Sequence, residues 1–174
     1  MFEPMMRGIA PVLKQHEELH VVCTGVEFTK GEIKMLRELG FEERVHQRYV
    51  SDAELQCLYA HARCFIYPSM YEGFGIPILE AYKQQCPVLL NQSSCFPEIA
   101  QDAALFFHLD HSSSNIAEVL ESFLNKSQGE IQPLLEQQSR RLRDFSWEKS
   151  AQQLSEVYER VIDGSASGTS MPLR

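Results

Sequence analysis

The sequence predicts an α/β fold in which a mostly parallel sheet carries helices on both faces. Short apolar runs rich in β-branched residues alternate with segments whose apolar residues recur every three or four positions. Strands separated by helices join through right-handed crossovers, which place the helices against the sheet. With 174 residues, of which 44% are hydrophobic and 23% charged, the chain has the size and composition of one globular domain. We therefore expect a Rossmann-like layer.

The first quarter of the chain gives two helix signals and two strand signals. Apolar residues recur at helical spacing from Met5 to Leu13. The second helix begins with the capping-box spacing of Thr29 and Glu32 and stops at Gly40, a residue type typical of helix ends. The predicted elements are a helix over 5–13, a strand over 19–23, a helix over 30–39 and a short strand near Val45.

The rest of the chain repeats this alternation. Pro68 ends a strand, whereas Pro77 fits the first turn of a helix because a helix start has spare N–H groups. The sequence predicts helices over 52–61, 76–82, 116–123, 131–143 and 147–162 and strands over 64–67, 87–90 and 103–107. We expect one domain over 1–163, followed by a flexible tail of small polar residues over 164–174.

Charge and composition disfavour several kinds of partner. The chain has 16 Lys and Arg against 24 Asp and Glu, a net charge of −8 that disfavours binding to nucleic acid or an anionic membrane. No segment approaches the roughly 20 apolar residues of a membrane span, and no signal segment opens the chain, so we expect a cytoplasmic protein. The five cysteines lack Cys-x-x-Cys spacing and the six histidines are scattered, so no metal site is predicted.

The candidate site lies in the loop and helix start over 67–80. Ligands of such folds bind beyond the carboxyl ends of the strands. Gly73 and Gly75 allow close backbone approach, and free N–H groups at the helix start favour an anion or a sugar oxygen. Glu72 and Glu80 are acceptors suited to pairs of sugar hydroxyls. Gly-x-Gly is also common in turns, and a glutamate near a helix start is a normal dipole partner, so spacing alone leaves both interpretations open.

The same segment carries a family resemblance. The run Glu72-Gly73-Phe74-Gly75-Ile76-Pro77-Ile78-Leu79-Glu80-Ala81 resembles the Glu, seven residues, Glu signature of retaining glycosyltransferases of family four, preceded as in that family by Pro68-Ser69. Further matching segments follow the family's order, so the resemblance covers nearly all of residues 2–162. These segments are 49–55, 58–60, 87–88, 94–104 and 145–151.

The resemblance implies the carboxyl-terminal, donor-binding half of a GT-B enzyme that uses a nucleoside-diphosphate sugar and no separate cofactor. In that half Glu72 would bind hydroxyls of the transferred hexose and Glu80 the ribose hydroxyls. The other implied donor-binding residues are the backbone of Gly73, Phe74 and Gly75 and, beside the base, Tyr49 and Val50. Ser94 and Glu98 also match the family's pattern, and the resemblance leaves open whether their role is structural.

Some parts of the family pattern are not found in this sequence. An Arg and a Lys that stabilise the leaving diphosphate, the domain's first strand and the domain that binds a glycan or glycoconjugate acceptor would all precede residue 1. The exposed sheet edge would then be open to self-association or to a bound partner. We expect negligible transfer by this chain alone. Gln85, Arg48 and Gln101 stand at or near positions where the family often has glycine.

Two other functions remain open at this stage. A noncatalytic nucleotide-binding or interaction module would keep the fold without the chemistry. A glycoside hydrolase would place two carboxylates on opposite sides of a bond, roughly 5–10 Å apart, which sequence separation does not establish. For the transferase we expect polysaccharide or glycoconjugate assembly, in the cytoplasm or at the membrane surface in a longer protein.

Overall fold

A computed structural model describes residues 1–110 and 113–163. The expected tail over 164–174 lies outside the described residues. The helices are α1 (Phe2–Gln15), α2 (Lys30–Leu39), α3 (Asp52–His61), α4 (Ile76–Lys83), α5 (Phe96–Ala100), α6 (Ile116–Leu124), α7 (Gln128–Leu142) and α8 (Trp147–Ile162). The strands are β1 (Val21–Thr24), β2 (Val45–Arg48), β3 (Phe65–Tyr67), β4 (Val88–Asn91) and β5 (Leu105–Phe107). Each predicted helix and strand is found, and α5 is an element that the sequence analysis missed.

The strands of residues 1–110 and 113–163 form two parallel sheets. In one, β1 pairs with β2; in the other, β4 lies between β3 and β5. The parallel arrangement is confirmed, and the structure adds a break that the predicted single sheet lacked. Within the described ranges, β1 and β3 have no ladder partner on the edge away from their own sheet. A cavity lined by residues of both strands lies where β1 and β3 would otherwise pair.

Capping and packing explain the helix positions. The Thr29 hydroxyl accepts the Glu32 N–H at 3.2 Å while the Glu32 carboxylate accepts the Thr29 N–H at 2.7 Å, which completes the predicted capping box of α2. Gly40 ends this helix in the left-handed conformation with φ 79°. One core packs α1, α2 and α6 together, and a second surrounds α4, α5 and β4. Strand β4 is fully buried along its length, so it anchors the three-stranded sheet.

In the described part of the chain, three turns place a residue other than glycine at positive φ: Gln85 at 55°, Ser94 at 52° and Gln101 at 51°. Two of these are the glutamines that stand at or near usual glycine positions of the resembling family. The turns are therefore kept despite the side chain, at a cost of about 1–3 kcal/mol each.

Helix α8 presents an unburied apolar face. None of its residues is buried, and the exposed side chains recur at helical spacing. They are Leu154, Val157, Tyr158, Val161 and Ile162. Across residues 1–110 and 113–163, no helix has both the length and the apolarity needed to cross a bilayer.

Candidate functional site

Glu72 and Glu80 line one cavity. This cavity, of about 960 Å³, runs along the facing edges of β1 and β3 and reaches the carboxyl end of β3. Glu72 lies in the loop after β3 and Glu80 lies in α4, so a strand exit and a helix bring the two carboxylates to the same space. The sequence predicted this convergence.

The Glu72 carboxylate is held by Tyr67, the last residue of β3. The Tyr67 hydroxyl donates to Glu72 Oε1 at 2.7 Å. The Tyr67 ring packs against Phe65 and Phe96, with ring centroids 5.4 Å and 5.0 Å apart. Burial and the hydrogen bond to Glu72 raise the pKa of Tyr67 far above its usual range, so the hydroxyl stays protonated and remains a donor. Sequence reasoning missed this residue, although its place at the strand exit could have signalled it.

The second oxygen of Glu72, Oε2, accepts no hydrogen bond from residues 1–110 and 113–163. Within residues 1–110 and 113–163, the Glu80 carboxylate, which also lines the cavity, has no hydrogen-bond or ion-pair partner. Burial first, and the charge of Glu80 second, raise the pKa of Tyr59 to about 12, so the two groups interact electrostatically. Both carboxylates thus have acceptor capacity to offer to hydroxyl groups of a ligand.

The two glycines of the loop differ in why they are glycine. Gly75 begins α4 with φ 98°, and an added Cβ would lie 3.0 Å from Ile78 Cδ1 and 3.1 Å from Phe96. The fold therefore requires glycine there. At Gly73 an added Cβ would meet nothing within 4 Å. The packing of the chain gives no reason for a glycine at this position.

Phe74 turns its side chain away from the cavity. Its ring meets Phe145 edge-to-face, with centroids 5.4 Å apart. Gly73, Phe74 and Gly75 follow Glu72 directly but do not line the cavity. The expected backbone contacts of this segment with a donor stay a prediction.

The loop between β4 and α5 is hydrogen-bonded to the loop after β3 that carries Glu72. The Ser93 hydroxyl donates to the Ser69 carbonyl at 2.9 Å, and the Ser94 hydroxyl donates to the Glu72 carbonyl at 2.9 Å. Cys95 Sγ lies 3.3 Å from the Glu72 carbonyl. The buried Asn91 side chain donates to the Leu109 carbonyl and accepts the Leu109 N–H, both at 3.0 Å. The sequence analysis left the role of Ser94 open and missed Asn91, Ser93 and Cys95.

The remaining predicted residues lie apart from the two glutamates. Tyr49 is 90% exposed and Val50 is half-buried; both follow β2, the outer strand of the two-stranded sheet, and neither lines the cavity. Glu98 is exposed in α5, and its carbonyl accepts a hydrogen bond from Arg141 at 2.9 Å. Among residues 1–110 and 113–163, no three His, Cys, Asp or Glu side chains cluster as metal ligands.

Comparisons with known proteins agree with one another. The family model described as glycosyl transferases group 1 matches residues 8–143. The O-antigen chain mannosyltransferase B of Escherichia coli is 38% identical over 111 residues, which are 64% of this chain and 29% of that protein. This chain thus spans less than a third of that relative's length.

Two solved structures share the fold. HepE of Anabaena, in a complex with UDP, superposes with a TM-score of 0.75 and 18% identity over 91% of this chain and 46% of that one. The carboxyl-terminal domain of a group 1 glycosyl transferase from Francisella tularensis gives 0.64 and 20% identity, covering 82% of this chain and 75% of that domain. The predicted GT-B carboxyl-terminal fold is confirmed.

Proposed function

The chain belongs to the group 1 glycosyl transferases, and we propose that it forms the donor-binding half of a retaining hexosyltransferase. In this proposal a hexose passes from a nucleoside-diphosphate sugar to a glycan or glycoconjugate acceptor. The observation that carries the proposal is the cavity that Glu72 and Glu80 share at the carboxyl end of β3. A hydrolase or a noncatalytic module gains no support from a transferase family.

The two carboxylates have different roles in this proposal. Glu72 accepts hydrogen bonds from hydroxyls of the transferred sugar, with Tyr67 fixing the orientation of its carboxylate. Glu80, about one turn into α4, accepts the two ribose hydroxyls. The backbone at Gly73, Phe74 and Gly75 meets the sugar and the diphosphate, and the empty space beside Gly73 leaves room for that approach.

The donor sugar that we propose is mannose. The support is the name of the Escherichia coli relative, O-antigen chain mannosyltransferase B. HepE is described in a complex with UDP. The titration below therefore compares guanine and uracil nucleotides as donors. We place the reaction in polysaccharide assembly, in the cytoplasm and, for a longer protein, at the membrane surface.

In our proposal a further strand completes this domain. It fills the part of the cavity between the facing edges of β1 (Val21–Thr24) and β3 (Phe65–Tyr67), which we call the slot. The occupant that we propose is a segment that precedes α1. Phe2 stacks on Phe28 with ring centroids 5.0 Å apart, and Phe28 follows the carboxyl end of β1, so α1 begins at that end of the slot. A strand that leads into α1 there would run parallel to both neighbours. The Arg and Lys that the leaving diphosphate needs would come from the same segment.

Sedimentation and amide exchange of the 174-residue chain test this occupant. We expect a monomer over a wide concentration range, with fast exchange along the free edges of β1 and β3. A second copy in the slot would instead give a dimer whose edge amides are protected, and that result would replace our proposal with self-association.

Calorimetric titration with GDP, GDP-mannose, UDP and UDP-glucose tests the donor site, beside thermal melting to show that each variant is folded. We expect selective binding by the wild-type chain and a loss of about tenfold or more in Glu80→Ala, since two charge-assisted hydrogen bonds are removed. The matched control is Glu98→Ala, which removes an exposed glutamate outside the cavity and should bind like the wild type. Equal loss in both variants, or binding unaffected by Glu80→Ala, contradicts the proposed site.

We expect transfer by this chain alone to be negligible, because no acceptor is held against the donor. A radiolabelled-sugar assay checks this. Sugar transfer by the purified chain to added glycans would show that the acceptor site lies within these residues.

A further inference from the structure

Ser94 combines an unfavourable backbone conformation with two hydrogen bonds to the candidate site. Its φ of 52° lies in the left-handed region, which is costly for serine. Its hydroxyl accepts the Glu72 N–H at 3.2 Å and donates to the Glu72 carbonyl at 2.9 Å. Gln85 and Gln101 have similar φ values, but neither side chain bonds to the loop that carries Glu72. Among the three strained residues, Ser94 alone within residues 1–110 and 113–163 contacts the site.

These bonds fix Glu72 from its backbone. The peptide groups on both sides of its Cα are held by one hydroxyl, and the carboxylate is held separately by Tyr67. A side chain held at both ends has little freedom to rotate, so its free oxygen Oε2 keeps one direction in the cavity. Loss of the Ser94 hydroxyl would free the Glu72 N–H and leave the Glu72 carbonyl to the weaker Cys95 thiol, while the Tyr67 bond stays in place.

We propose that Ser94 is a positioning residue whose hydroxyl sets the orientation of Glu72 toward the sugar of the donor. This inference rests on the proposed function, since it takes Glu72 as the residue that meets the sugar. In this interpretation, the positive φ of Ser94 is tolerated because it directs the hydroxyl toward the Glu72 backbone. A bare nucleoside diphosphate, which has no transferred sugar, gains nothing from this orientation.

Three variants separate the hydroxyl from the strain. Ser94→Ala removes the hydroxyl and keeps a side chain at positive φ, whereas Ser94→Gly removes the hydroxyl and relieves the strain. Ser94→Thr keeps a hydroxyl but adds a β-branched side chain that tolerates positive φ poorly. The control is Gln85→Gly, which relieves strain at a turn outside the cavity.

Titration with the nucleotide sugar and with its bare diphosphate, beside thermal melting, gives two readouts. Affinity for the nucleotide sugar should fall about tenfold in both Ser94→Ala and Ser94→Gly, while affinity for the bare diphosphate stays within about twofold. Ser94→Gly should nevertheless melt about 3 °C above Ser94→Ala. Ser94→Thr should melt lower than the wild type and keep its affinity, because affinity follows the hydroxyl and stability follows the backbone. Gln85→Gly should bind both ligands like the wild type.

Amide exchange of the chain without ligand keeps this test separate from the donor hypothesis. The Glu72 amide should exchange several-fold faster in Ser94→Ala and Ser94→Gly than in the wild type. If the wild type binds no nucleotide sugar, the proposed function fails and exchange alone decides whether Ser94 holds Glu72. Unchanged exchange at Glu72, or Ser94→Gly binding the nucleotide sugar as the wild type does, overturns the positioning role.

Discussion

Strand β4 and strand β3 lie side by side, yet their surroundings differ. Strand β4 is paired on both edges and buried along its length, with Leu89 and Leu90 fully inaccessible. Strand β3 is paired on one edge and faces the slot with the other, and its three residues are only half-buried. The core around β4, which we call the closed half, therefore supplies packing stability. The other side of β3 holds the cavity that Glu72 and Glu80 line. Mutations on the two sides should have different consequences.

The largest expected effect is on stability in the closed half. Leu90→Ala should lower the free energy of unfolding by about 2–5 kcal/mol, since it leaves a cavity in a fully packed core. Ile66→Ala on β3 should lower it by about 1–2 kcal/mol, because that side chain is only partly buried and lines the slot. Urea denaturation of both variants measures the difference.

Equal costs at Leu90 and Ile66 would mean that the slot is closed in solution. A strand supplied to the slot would have the same effect on Ile66. Repeating both variants in a longer protein that contains the segment preceding α1 would show whether that segment raises the cost of Ile66→Ala.

The two glycines of the site loop extend the contrast. Gly75→Ala should lower the free energy of unfolding by about 1–3 kcal/mol, because its φ of 98° and its contacts with Ile78 and Phe96 exclude a Cβ. Gly73→Ala should change it by less than about 0.5 kcal/mol, since the new methyl group meets open space. Thermal or urea melts check both values.

Titration of Gly73→Ala with the nucleotide sugar then measures its affinity independently of its stability. We expect weaker binding of the nucleotide sugar by a stable protein. A variant that is as stable and as tight-binding as the wild type would remove Gly73 from the proposed site.

A smaller, stabilising effect is expected at a strained turn of the closed half. Gln101 has φ 51° and ψ −122°, a combination suited to glycine. Gln101→Gly should raise the free energy of unfolding by about 1 kcal/mol, the relieved strain less the added freedom of the unfolded chain. This would appear as a melting temperature about 2–4 °C higher. A lower melting temperature would show that the Gln101 side chain makes a stabilising contact.

The smallest effect is a pH dependence at the contact between α1 and α6. His16 Nε2 donates a hydrogen bond to the Glu121 carboxylate at 3.1 Å, which raises the pKa of His16, and the charges of Glu121 and Glu18 reinforce this effect. Stabilisation by the charged imidazole is therefore complete below the unfolded-state value and is lost as pH rises through the higher folded-state pKa. Melting from pH 5 to pH 8 should show this slope in the wild type and a weaker one in His16→Gln. Identical slopes would assign the pH dependence to other groups.

Periodicity and capping residues predicted the elements because those signals are local. The apolar repeat of α1 and the capping box at Thr29 each lie within one short segment. Helix α5 was missed because five residues that include Pro97 are too short to show a period. The break between the sheets could not be read from sequence, since it depends on which distant strands pair.

The site was predictable to the extent that its residues are close in sequence. Glu72 and Glu80 follow one strand and share one helix start, so their convergence could be expected. The contacts of Tyr67 and Ser94 with Glu72 depend on side-chain directions across two loops, which no sequence spacing encodes. Tyr49 was assigned by resemblance alone, and its place near a donor base stays a prediction.

The most direct test of the central claim is to titrate Glu72→Gln and Glu80→Gln with one nucleotide sugar and its bare diphosphate. If both glutamates serve one donor site in the proposed roles, Glu80→Gln weakens both ligands by about tenfold, while Glu72→Gln weakens only the nucleotide sugar. Wild-type affinity of both variants for both ligands would contradict a shared donor site at Glu72 and Glu80.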